Sequence, residues 1–128
     1  MDSKVVAHFR DGRIIKGTTN NFAPLKDRFH LQGADGKGFE VLLTELKALF
    51  FVKNLVGDRT YKERKEFDPT RQLGRKIRCE FADGEVVTGY CQGYDSKRLG
   101  FFVIPADVRS NNERVFVINS ATKTVGFM

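Results

Sequence analysis

The chain has 128 residues, 41% of them apolar and 30% charged, with 12 Phe, 12 Gly and no Trp; 22 Lys and Arg against 16 Asp and Glu give a net charge of +6. This balance excludes a disordered chain and places the sequence among ordinary globular proteins. Its longest apolar run, Ala48 to Val52, is five residues, against the roughly 20 that a bilayer-spanning helix needs, and Met1-Asp2-Ser3-Lys4 lacks the basic-then-apolar order of a signal peptide, so a cytoplasmic protein with no membrane association is expected.

In chain order, the first element is a β-hairpin. Apolar alternation flanks Asp11-Gly12, and a two-residue type I′ turn at that dipeptide sets Phe9 opposite Ile14, Ala7 opposite Lys16 and Val5 opposite Thr18. Gly17, isolated within the second strand, predicts a bulge or sharp bend. A loop carrying Phe22 and Lys26 follows. Strands are then expected at 29–32, 39–43 and 48–53, with one helical turn near Thr44 to Ala48. Phe50 and Phe51 are consecutive and point to opposite faces of their strand, so that one fills the local core while the other seals a contact with a neighbour.

Residues 57–76 carry seven basic and four acidic groups and read as a basic linker of Arg59, Lys62, Arg64, Lys65, Arg71, Arg75 and Lys76. Such a segment suits a phosphate backbone, an acidic protein surface or plain solvation.

From residue 77 onward the sequence repeats itself. Sliding it by 72 positions superimposes Phe9, Asp11, Gly12, Gly17, Phe29, Ala34 and Asp35 on Phe81, Asp83, Gly84, Gly89, Phe101, Ala106 and Asp107. The aligned loop positions again hold an aromatic and a cation, Tyr94 and Arg98. A polar insertion, Arg109 to Asn112, interrupts the second copy, after which Glu40-Val41-Leu42-Leu43 aligns with Arg114-Val115-Phe116-Val117. The expected architecture is therefore all-β: two tandem five-stranded small barrels of the SH3-like or Sm-like kind, residues 1–56 and 77–128, packed together across a linker of residues 57–76.

At Asp11-Gly12-Arg13-Ile14-Ile15-Lys16-Gly17 and Asp83-Gly84-Glu85-Val86-Val87-Thr88-Gly89 each copy resembles the first strands of Sm-like proteins, and Asp95 falls where those proteins place an aspartate in the nucleotide-binding loop. The uracil-reading Asn of that pattern is replaced by Leu99, and by Asp27 in the first copy. Over nearly the whole chain the sequence also resembles an uncharacterised bacterial tandem-barrel family, found alone or beside signalling and motility regulatory domains. The carriers are Lys26-Asp27-Arg28-Phe29-His30-Leu31, Leu46 to Lys53 and Ser110 to Val117. That resemblance implies a bacterial regulatory or adaptor role.

Catalytic chemistry finds few candidates. Cys79 and Cys91 are not cross-strand partners in the expected register and read as small buried apolar residues. His8 and His30 align with Glu80 and Phe102, which preserve no imidazole function. Arg71-Gln72-Leu73-Gly74-Arg75 has the R-x-x-x-R spacing of PilZ domains, which bind cyclic di-GMP, but the downstream Asp95 and Gly100 are each displaced by one residue from that motif. No nucleophile–base pair, Gly-rich phosphate loop or metal-ligand cluster stands out, so neither enzymatic activity nor a cofactor or metal is expected. The expectation is a protein-binding adaptor, with Phe22, Lys26, Tyr94 and Arg98 as candidate partner contacts. The alternative is an Sm-like RNA-binding protein that uses the basic linker.

Overall fold

A computed structural model describes residues 2–57 and 60–128. Ten antiparallel strands form one continuous sheet: β1 (Ser3–Phe9), β2 (Ile14–Thr19), β3 (Arg28–Gly33), β4 (Gly38–Leu42), β5 (Leu46–Val52), β6 (Arg75–Phe81), β7 (Val86–Cys91), β8 (Gly100–Pro105), β9 (Asn112–Ile118) and β10 (Thr122–Phe127). Single 3₁₀ turns, Leu43–Glu45 and Asn119–Ala121, precede β5 and β10. Among the described residues there is no α-helix, so no helix is long and apolar enough to cross a membrane.

The strand order is β10-β6-β7-β8-β9-β5-β1-β2-β3-β4. Each half, β1–β5 and β6–β10, thus places its last strand beside its first and its fourth strand at the far side. The halves meet where β5 pairs with β9, Ala48 opposite Val117 through Val52 opposite Asn112.

Both hairpins differ from the expected register by one residue. Gly12 N–H donates to the Phe9 carbonyl at 3.1 Å, Phe9 N–H donates to the Arg13 carbonyl at 2.9 Å, and only Gly12 has positive φ, at 94°. This is a three-residue loop, Arg10-Asp11-Gly12, with a turn followed by a left-handed glycine, rather than a type I′ turn. Asp11 itself stays at negative φ because its carboxylate accepts the Arg13 N–H at 3.0 Å. Gly84 and Asp83 repeat the arrangement. Ile14 therefore lies opposite His8, Ala7 opposite Ile15 and Val5 opposite Gly17. In the second half Glu80 faces Val86, Cys79 faces Val87 and Ile77 faces Gly89.

Gly17 and Gly89 mark the bends. A Cβ on either would stand 2.1 Å from the carbonyl oxygen of Gln32 or Ile104, a separation no side chain tolerates. Here β2 and β7 cross onto β3 and β8 through only two paired positions each. The core then follows the alternation. Val5, Ala7, Phe9, Phe29, Leu31 and Leu49 are buried in the first half, and Ile77, Cys79, Phe81, Phe101, Val103 and Val117 in the second.

Later in the repeat the alignment also shifts. His30 pairs with Glu40 as Phe102 pairs with Phe116, and Phe29 with Val41 as Phe101 with Val117. Glu40 thus corresponds to Phe116, not Arg114, because the whole four-residue insertion Arg109 to Asn112 precedes β9's matching segment.

Candidate functional site

On β1, Lys4, Val6 and His8 point to the opposite side from Val5, Ala7 and Phe9, and the register carries that face across four strands. Lys16, Val6, Phe50 and Val115 form one cross-strand row; Ile14, His8, Ala48 and Val117 form the next. At the joint these rows run from the outer face of the first half into the core face of the second, where Val115 and Val117 are buried. The result is an open groove of about 650 Å³ whose floor is Val6, His8, Phe50 and Val52.

One wall is Leu55 to Gly57, and the other is the insertion in the second half. Asn111 locks these walls together: it accepts the Asn54 N–H at 3.0 Å, donates to the Asn54 carbonyl at 2.8 Å, and its own carbonyl accepts the Lys53 N–H at 2.8 Å. Ile14 and Val56 stand at the rim, 56% and 79% exposed.

His8 stacks against Phe50 with ring centroids 4.4 Å apart. Burial pushes its pKa down, and the Lys47 ammonium adds to that effect, against the opposing pull of Glu85 and Asp83. The groove therefore holds a neutral imidazole at neutral pH. Beside it Lys47, which lies 4.7 Å above the Phe81 ring, donates to Asp83 at 2.7 Å and to Glu85. Burial lowers the ammonium's pKa, but the two carboxylates outweigh that and hold it above its ordinary value. An apolar floor with an uncharged imidazole, one apolar and one amide wall, and Lys16 and Glu85 in the lining is chemically suited to an apolar side chain carried on a polar backbone.

The aligned loop residues lie elsewhere. Phe22 sits at the joint in edge contact with Phe29 and Phe51 of its own half and with Phe102 and Phe116 of the other, at 5.1 to 6.1 Å. Tyr94 packs on Phe101 and Phe127 at 4.9 and 5.3 Å. Lys26 is exposed, and Arg98 is an exposed partner of Asp95 at 3.7 Å. Of the consecutive pair, Phe51 joins the aromatic cluster at the joint and Phe50 floors the groove.

Of the basic linker, Arg59 lies outside the described residues. Lys62, Arg64 and Lys65 are exposed, Arg75 and Lys76 belong to β6, and Arg71 donates to the Ala106 carbonyl at 3.0 Å. The segment is fastened to the second half through Asp107, 7% exposed, which accepts from the Tyr61 hydroxyl, from Arg64 N–H at 2.8 Å and from Arg109 N–H at 2.9 Å. Phe67 packs on Tyr90, whose hydroxyl donates to the Arg71 carbonyl. Cys79 and Cys91 are both buried free thiols.

The groove was hidden from sequence reasoning by the turn. Placing Ile14 opposite Phe9 puts it on the core face, whereas the three-residue loop rotates it outward beside His8. The available signal was the pair Ile14-Ile15 itself, since two adjacent β-branched residues in a strand cannot both face one core.

The fold is thus that of an all-β chain made of two repeated halves, with a groove across their joint. The chain belongs to the family of unknown function DUF6982, whose pattern matches residues 1–128. No curated protein and no solved structure matches it.

Proposed function

We propose that this protein is a non-enzymatic protein-binding module, an adaptor or regulatory unit of a bacterial signalling or motility system, whose two halves are SH3-like or Sm-like small barrels. In favour of the barrel reading, each half wraps its fifth strand against its first and bends sharply at a glycine whose Cβ position is filled by backbone. The observation that carries the function is the groove at the joint, an apolar floor rimmed by the exposed Ile14 and Val56. Exposed apolar residues around a concavity mark interaction surfaces more often than scattered ones do. The partner is expected to insert an apolar anchor over Phe50.

The test is capture from a native cell extract on the immobilised chain, with and without nuclease, against an Ile14→Ser/Val56→Ser variant. A stoichiometric protein that survives nuclease and is lost on the variant supports the reading. Equal capture by both proteins rules the groove out.

A second reading, Sm-like binding of nucleic acid, is favoured by the net charge of +6 and by the exposed Lys62, Arg64 and Lys65. If it holds, changing those three to Gln flattens the dependence of log K on log salt by roughly 0.9 per lost contact on duplex DNA and 0.7 on single strands. An unaltered slope removes this segment from any such interface.

A further inference from the structure

The two free edges of the sheet repeat the two strands that meet at its centre. The first half's β4 corresponds to β9, since His30 pairs with Glu40 as Phe102 pairs with Phe116. The second half's β10 corresponds to β5, since Ile77 pairs with Phe127 as Val5 pairs with Phe51, and Cys79 with Val125 as Ala7 with Leu49. Inside the molecule β5 and β9 are joined, whereas β10 and β4 each end the sheet, with no second neighbouring strand among the described residues.

We propose that these edges are each other's partners between copies of this chain: β10 of one molecule adds antiparallel to β4 of the next, in the register of the central joint. Transferring that register sets Thr124 opposite Val41, Val125 opposite Glu40 and Gly126 opposite Phe39. The differences between the central joint and the free ends are matched across the proposed contact. At the centre Phe50 lies opposite Val115; at the ends the bulky residue changes sides, becoming Phe39 opposite Gly126. Phe39 is 38% exposed, and a Cβ on Gly126 would have only the Arg78 carbonyl as a neighbour, at 4.0 Å, so room for the ring exists.

A second change is matched in polarity. At the centre Phe22 meets Phe102 and Phe116; their counterparts are Tyr94, His30 and Glu40, which place a phenol opposite an imidazole and a carboxylate. The third concerns a cation over a ring. Arg114 from β9 covers Phe51 at 4.3 Å, whereas Phe127 is already covered by its own Arg75 at 3.9 Å, and the counterpart of Arg114 is Gly38, which has open space around it. Each edge thus lacks what the other supplies. Lys123, the counterpart of Lys47, would approach Asp11, while Arg13 stands where the centre has Glu85, so the intermolecular joint is more polar and weaker than the internal one.

Such a contact uses different surfaces on the two molecules, at opposite ends of the strand order, so each copy takes two different neighbours and copies add head to tail, closing as a ring of three or more or running on as a filament. The test is sedimentation of the full chain over a concentration series, together with Phe39→Lys and Gly126→Lys. Gly126 is an open position and Phe39 is 38% exposed on an edge strand, and thermal unfolding of each variant shows that it is folded at the temperature of the sedimentation run. The wild type is expected to grow beyond dimers with concentration, and each variant alone to stay monomeric. An equimolar mixture of the two variants should form dimers and stop there, because only one intact edge pair remains. A wild type that stays monomeric or halts at dimers, or variants that associate like the wild type, overturns the proposal.

Discussion

At the scale of single residues, burial decides which groups are available for chemistry. Burial, with a smaller contribution from Cys91, pushes the Cys79 thiol up to about 12, and burial likewise raises Cys91 despite the nearby Arg75. Thiolate is the reactive form, so neither residue should react with an alkylating reagent in the native protein at neutral pH, whereas both should be labelled in denaturant; mass spectrometry after timed exposure reads the difference. Asp107 behaves in the opposite way. Burial pushes its carboxyl up, but the Arg64 N–H, the Tyr61 hydroxyl and the Arg109 N–H outweigh this and hold it below the ordinary carboxylate range. A depressed carboxylate contributes its stabilisation in full above the unfolded value of about 4 and loses it as pH falls through the lower folded value. The linker should therefore unlock in acid before the strands do, seen as faster hydrogen exchange at the Arg64 N–H while the β-sheet circular dichroism persists. Exchange that accelerates only with global unfolding would show that Asp107 does not hold the linker.

At the scale of elements, the hairpins and their bends separate what sequence makes visible from what it does not. The strand positions, the repeat and the bend glycines are legible because alternation marks a half-buried strand and the recurrence of a glycine five residues after each turn glycine marks a bulge or bend. Gly17 and Gly89 meet backbone, whereas Gly38 meets nothing within 4 Å. Gly89→Ala should accordingly cost about 3 kcal/mol, the upper range for overpacking, while Gly38→Ala leaves the denaturant midpoint near the wild-type value; equal midpoints for the two variants would contradict the close crossing of β7 over β8. The turn itself is less legible. Asp-Gly fits both a two-residue and a three-residue loop, and the choice rests on whether Asp11 keeps negative φ by accepting the Arg13 N–H, a contact that composition does not announce. That one-residue difference moved Ile14 from core to rim and concealed the groove. The joint was half legible. Phe50-Phe51 announced a strand with two covered faces, but the pairing of β5 with β9 joins residues far apart in the chain and leaves no local pattern.

At the scale of the whole molecule, the joint makes one folding unit of two halves that are each too small to be secure. A domain of about 55 residues buries only about 60% of the surface its unfolded chain exposes. Here the central strands also bury continuous apolar runs: all of Ala48 to Val52 and Val115 to Ile118 are buried, and Phe22 is wedged between rings of both halves. The polar ties at the rim, Lys47 to Asp83 and Glu85 and Arg10 to the Ser120 hydroxyl, involve exposed partners. The Lys47 side chain is 12% exposed while both carboxylates face solvent, so these ties supplement the continuous apolar contact of strands and rings at the joint. Truncating Phe22 to Ala should then cost about 3 kcal/mol, the low end for a half-buried ring, and should lower the stability of both halves together in a single transition. Separated pieces, residues 1–56 and 57–128, should each expose a long apolar strand edge and aggregate or remain unfolded. Mixed during refolding, they should recover one sheet, read as a dispersed amide NMR spectrum that neither piece gives alone. A dispersed spectrum from either piece in isolation would mean that the halves are independent domains and that the β5–β9 contact is an accessory rather than the condition of folding.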